Sequence, residues 1–119
     1  MGQTWEIYDP SSNSFPTTAS AGHDLVDPQR ALHAAAAFVD GHVLLAGGTH
    51  GTGGTTGLTS TEDFNPNPTA PAPLGFASGP TLLQLARFRI AASYAPAQNV
   101  LVLVGGNTVG PSTEQITTP

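Results

Sequence analysis

The feature that most narrows what this chain can fold into is that it repeats itself. One pass runs Arg30-Ala31-Leu32-His33-Ala34-Ala35-Ala36-Ala37-Phe38-Val39-Asp40-Gly41-His42-Val43-Leu44-Leu45-Ala46-Gly47-Gly48. A second runs Arg87-Phe88-Arg89-Ile90-Ala91-Ala92-Ser93-Tyr94, turns at Pro96 to Asn99, and closes on Val100-Leu101-Val102-Leu103-Val104-Gly105-Gly106. A further block recurs as Glu6-Ile7-Tyr8-Asp9-Pro10, Glu62-Asp63-Phe64-Asn65-Pro66 and, faintly, Glu114 to Pro119. The offsets are 56 from Glu6 to Glu62, 56 from Phe38 to Tyr94, 58 from Gly48 to Gly106 and 52 from Glu62 to Glu114. Landmarks held near one spacing mean stacked copies of one small unit, each burying its apolar face on the next.

The units read as strands. Val43 to Ala46 and Val100 to Val104 are short aliphatic runs between turn signals, a pattern that fits strands buried on both faces. Asp40-Gly41 predicts a primed hairpin turn, with Ala34 to Phe38 as the paired strand. Alanine favours helix, yet no helix of useful length fits between Pro28 and Asp40-Gly41. Asp9-Pro10 and Asn65-Pro66 should end their strands, because proline has no N–H for the ladder.

Composition removes whole classes of function. With no cysteine, the chain has no disulfide, zinc-thiolate site or thiol nucleophile. Three arginines, no lysine and eight acids give a net charge of −5, which argues against a nucleic-acid or anionic-membrane surface. No apolar run is long enough for a transmembrane helix, and no secretory signal is visible at Met1 to Glu6. The chain is expected to be soluble, with its compartment open. Glycine-rich Thr49 to Gly57 lacks the lysine and following helix of a phosphate loop. It reads as a connecting loop of the kind that carries recognition.

Taken together, Arg30, His33, Gly47-Gly48, Gly105-Gly106 and Tyr8-Asp9-Pro10 resemble kelch repeats, most closely the bacterial style with Arg-x-x-His followed by Asp-Gly-His-Val-Leu-Leu-Ala-Gly-Gly. The resemblance implies an all-β fold: a kelch-type β-propeller segment of about two four-stranded antiparallel blades. The ring would be completed by other copies or by other chain segments. The implied boundaries are a partial blade over 4–20, a blade over 30–85 and a partial blade over 87–117. Phe15 stands where such units often have tryptophan. The second unit has no aromatic at that distance from Asn65-Pro66, and its Pro/Asn stretch predicts an irregular or absent outer strand.

Kelch blades take about 50 residues each and rings need at least four, so 119 residues close no ring. Head-to-tail copies would close one, three two-blade chains giving six blades, with the N-terminal outer pair of one copy completing the inner pair of the next. The alternative is a piece of a longer propeller. The overhanging Thr113 to Thr117 duplicates Thr4 to Tyr8, which favours the piece.

The candidate site residues are Arg87, Arg89, Arg30, His33 and His50. In kelch proteins an arginine before the innermost strand often lies at the channel mouth, which implies a grip on carboxylates, to which the planar guanidinium is matched. Alternation would place Arg87 and Arg89 on one strand face. The competing reading ties the arginines to loop carbonyls or to acids such as Glu62. His23, His33, His42 and His50 are metal-capable nitrogens, but nothing guarantees the convergence that zinc needs; no metal and no cofactor is expected. Recurrence of Glu6, Glu62 and Glu114 at the repeat period argues for a structural carboxylate in each unit. No catalytic residue is assigned. Galactose-oxidase-type copper chemistry needs a cysteine-linked tyrosine and is not implied. The expected function is a non-catalytic binding or scaffold module contacting a protein, peptide or glycan. The alternative is a fragment of a propeller enzyme whose active site lies largely elsewhere.

Overall fold

The computed structural model describes residues 6–18, 25–27, 29–66, 75–79, 83–107 and 113–117. Eleven strands and no helix occur among them, all paired antiparallel. They are β1 (Glu6–Asp9), β2 (Ser14–Thr18), β3 (Arg30–Ala31), β4 (Ala34–Ala37), β5 (Val43–Ala46), β6 (Thr49–His50), β7 (Thr61–Asn65), β8 (Gly75–Ser78), β9 (Ala91–Ala95), β10 (Val100–Val104) and β11 (Thr113–Thr117). The all-β expectation holds. The predicted aliphatic strands match β5 and β10, and β1 and β7 stop before Pro10 and Pro66. Trp5, His23 and the proline-rich stretch at 67–74 lie outside the described residues.

The central sheet has the order β4-β5-β7-β8. On one side stands the three-stranded sheet β9-β10-β11, on the other the hairpin β1–β2. A small pair, β3–β6, sits beside them, with Arg30 opposite His50. The main core lies where β4 meets β9. Ala34, Leu44 and Ala46 of the central sheet meet Leu101, Leu103 and Ile116 of the next one, with Leu83 closing the cluster. Phe38 and Tyr94, equivalent by the repeat, meet edge to face with ring centroids 5.0 Å apart.

Alternation decides which strand faces are covered. Leu44 and Ala46 face the β9-β10-β11 sheet; Val43 and Leu45 face β1. Leu44, Leu45 and Ala46 are all buried, so β5 is covered on both faces as expected. β10 is not. Leu101 and Leu103 are fully buried, but Val104 is half exposed and Val100 and Val102 only partly covered. The both-face reading of β10 is corrected: among the described residues no further layer lies against its valine side.

Two other expectations are corrected. Asp40-Gly41 does not form a two-residue primed turn. Phe38 N–H donates to His42 O at 2.8 Å around a longer loop, with Gly41 at φ 91 and Asp40 Oδ1 accepting from the His42 N–H at 3.0 Å. The outer strand of the second unit is present and regular. β8 pairs with β7 in register, Phe64 opposite Phe76, rings 4.9 Å apart. Tyr8 and Phe15 make the corresponding pair in β1–β2 at 5.3 Å.

The first double glycine, Gly47-Gly48, is required by contact as well as by conformation. Gly47 and Gly48 have φ of 63 and 100. A β-carbon on Gly48 would stand 2.5 Å from the Ala31 carbonyl oxygen, a backbone atom with no freedom to swing away. Gly48→Ala is expected to cost about 1–3 kcal/mol from the backbone strain alone, read as a lower urea midpoint. Gly53→Ala, where a β-carbon meets open space, should stay within about 0.5 kcal/mol.

Candidate functional site

The chemistry-bearing side chains gather behind the double glycines. Arg30, on β3, is buried, and its five N–H donors are all used. Nε donates to Glu62 Oε1 at 2.8 Å, one terminal nitrogen to the Gly47 and Ser60 carbonyls, and the other to Asp27 Oδ2 at 3.1 Å and Ser60 Oγ at 2.8 Å. Glu62 is 1% exposed and also accepts the Val26 and Asp27 N–H groups at 2.7 and 3.2 Å. A carboxylate at this depth is tolerated because a cation and two amides compensate it.

The second unit rebuilds this arrangement. Arg87 is fully buried. It donates to the Gly105 carbonyl at 2.9 Å and pairs with Glu114 at 3.3 Å, while Glu114 accepts the Gln84 N–H. Arginine, first glycine of the pair and glutamate thus recur as a geometric set: Arg30, Gly47, Glu62 and Arg87, Gly105, Glu114. Glu6, third of the recurring carboxylates, is exposed and has no ion pair among the described residues.

Arg87 and Arg89 do not share a face. The chain between them is drawn across to the first unit, with Gly48 N–H donating to Arg87 O at 2.9 Å and Arg89 N–H to Leu32 O at 2.8 Å. Arg89 takes φ 55, as its equivalent Leu32 takes 57, and strand alternation begins only at Ala91. Arg87 therefore turns inward, and Arg89 is exposed with its guanidinium 5.8 Å from the Phe88 ring centroid. Of the five candidates, Arg30 and Arg87 are enclosed, His33 is half-buried, and Arg89 and His50 stand in solvent.

Asp27 and Ser60 carried no signal in the sequence, although Asp27 stands at i−3 from Arg30, a spacing open to inspection. His50 Nε2 lies 2.6 Å from Asp27 Oδ1, and Ser60 Oγ donates to the other carboxylate oxygen. Burial alone would raise the Asp27 carboxyl. The Ser60 and His50 hydrogen bonds and the Arg30 charge outweigh it and hold the group below its ordinary 3.8. This is not a nucleophile triad: the carboxylate sits between serine and histidine, so histidine has no access to the serine proton. His42 is taken up by Asp63 at 2.7 Å. No three metal-capable side chains converge among the described residues.

His33 Nδ1 is buried without a hydrogen-bond partner. Desolvation, with the Arg30 charge, pushes the imidazole below 6.5, against a smaller opposing pull from Glu62. Its protonation is disfavoured in the fold, so unfolded chain takes up the proton first. The stability linked to His33 is complete above pH 6.5 and declines as pH falls below it. Urea unfolding at about pH 7.5 and about pH 5.5 should show a larger loss for wild type than for His33→Gln; equal losses would contradict the assignment.

No family model and no curated protein matches the chain. Among the described residues no helix is long and apolar enough to cross a membrane.

Proposed function

We propose that this chain is a kelch-type propeller segment acting as a non-catalytic binding or scaffold module, completed by copies of itself or by other propeller segments. The observation that carries the reading is the twice-built set of arginine, glycine carbonyl and glutamate at the period of the sequence repeat. A device built twice at the repeat period and closed off from solvent holds units in shape; it does not turn over a substrate. Support also comes from the central sheet and the β9-β10-β11 sheet standing face to face, joined through the Leu44–Leu101 core, with β1 across a groove on the other side.

Recognition falls to the loops at the glycine-rich end, where residues 51–56 and the bend at Arg89 lie outside the buried network. Arg89 is the arginine left in solvent and is the contact proposed for a carboxylate-bearing protein or peptide. A fluorescent hexaglutamate peptide titrated onto the protein at low salt tests this. Arg89→Glu is expected to weaken binding at least about tenfold while moving stability by less than about 0.5 kcal/mol. Unchanged affinity would remove Arg89 from the contact, and global unfolding of the variant would make it a structural residue instead.

A further inference from the structure

The molecule carries two incompletely covered apolar surfaces that fit each other by a register it already uses internally. The first is the back of the central sheet. Val43, Phe64 and Phe76 line a groove of about 300 Å³ whose other wall is Ile7, with Glu6 at its rim. The second is the valine side of the β9-β10-β11 sheet, where Val100, Val102 and Val104 lie on the face opposite buried Leu101 and Leu103.

Inside the chain, the inner pair β4–β5 is joined to the hairpin β7–β8 with Leu45 opposite Glu62 and Leu44 opposite Asp63. The pair β9–β10 is joined to β11 in the same way, Leu103 opposite Glu114 and Val102 opposite Gln115. The β9-β10-β11 sheet holds no outer hairpin, and β1–β2 is an outer hairpin with no inner pair among the described residues. It has the parts of β7–β8: Glu6 for Glu62, and Tyr8 against Phe15 for Phe64 against Phe76.

We propose that β1–β2 of one copy replaces β11 on the edge of β10 of a second copy, with Glu6 taking the place of Glu114 beside the second copy's Arg87. The inference rests on the self-assembling form of the function proposed above. The repeat register then sets Leu103 of the second copy opposite Glu6, Val102 opposite Ile7 and Leu101 opposite Tyr8. Since Ile7 lines the groove, the second copy's Val100, Val102 and Val104 are delivered onto Val43, Phe64 and Phe76. One exchange pairs the exposed carboxylate, finishes a four-stranded sheet and covers both apolar faces. The contact is heterologous, so it propagates until a ring closes.

Engineered cysteines test the register in full-length chain, which has no cysteine of its own. In Ile7→Cys/Val102→Cys, mild oxidation is expected to link most of the protein into covalent multiples of the single chain on a non-reducing gel. In Val102→Cys/Gln115→Cys, the disulfide locks β11 in place and is expected to bring the native mass down to 12.1 kDa. If the first variant stays single-chain, or the locked second variant assembles as wild type does, the exchange is wrong. A native mass above one chain in those same samples would then leave the assembling module standing without it, whereas one chain throughout would end both. Glu6→Arg gives an independent reading, since Glu6 is exposed in the single chain: assembly should weaken at least about tenfold with the urea midpoint of the dilute protein unmoved, and undiminished assembly would overturn the role of Glu6.

Discussion

Replacing Arg30 by alanine is expected to lower the free energy of unfolding by about 3–5 kcal/mol, the range for removing one partner of a buried pair. The loss has a specific origin. Glu62, at 1% exposure, would be left with only the Val26 and Asp27 amides to compensate its carboxyl group. The Gly47 and Ser60 carbonyls would each lose a donor, and Asp27 would lose the nearest cation. A paired change separates this from lost packing. Arg30→Met with Glu62→Leu removes both charges and keeps apolar volume, and should cost less than Arg30→Ala alone. Urea denaturation of the three proteins gives the comparison. If Arg30→Ala is as stable as wild type, the guanidinium is not holding the loops together and the structural account of the recurring arginine fails.

Leu103→Ala is expected to cost about 2–5 kcal/mol, the span for deleting a buried leucine side chain. Leu103 is fully buried, between β10 and the Leu44–Ala46 face of the central sheet. Neighbouring positions on the same strand make the control. Val104, half exposed on the opposite face, should tolerate alanine in dilute single-chain protein with a loss below about 1 kcal/mol. In an assembled sample the two should converge, because the valine face is then covered as well. A Val104→Ala loss as large as that of Leu103→Ala in dilute monomer would mean that the strand's facing is wrong.

These contrasts show how far the residues themselves spoke. β5 and β10 were legible because short aliphatic runs between glycines leave no other element to form, and β11 because Thr113 to Thr117 surrounds the Glu114 landmark. The period also marked the buried carboxylates: a glutamate repeated at unit spacing in a chain this poor in charge is a structural part, and Glu62 and Glu114 are spent on buried arginines.

What escaped the reading depended on loops. β8 was obscured because its aromatic, Phe76, stands ten residues after Pro66 while Phe15 stands five after Pro10; the longer connection hides an equivalent pairing. The facing of Arg87 and Arg89 was misread because alternation holds only in extended backbone, and Arg89 bends to a positive φ while bonding to Leu32 of the other unit. Asp27 and Ser60 join the Arg30 network only through the fold. The exposed side of β10 could not be told from the buried side of β5, since both runs are equally aliphatic and coverage depends on what is stacked against them.

The most direct test of the central claim is the native mass of the unmodified chain across a dilution series. Three times 12.1 kDa, falling toward one chain on dilution, is the expected result. A single chain at every concentration, unfolding cooperatively and with its valine face and aromatic groove left open to water, would contradict it.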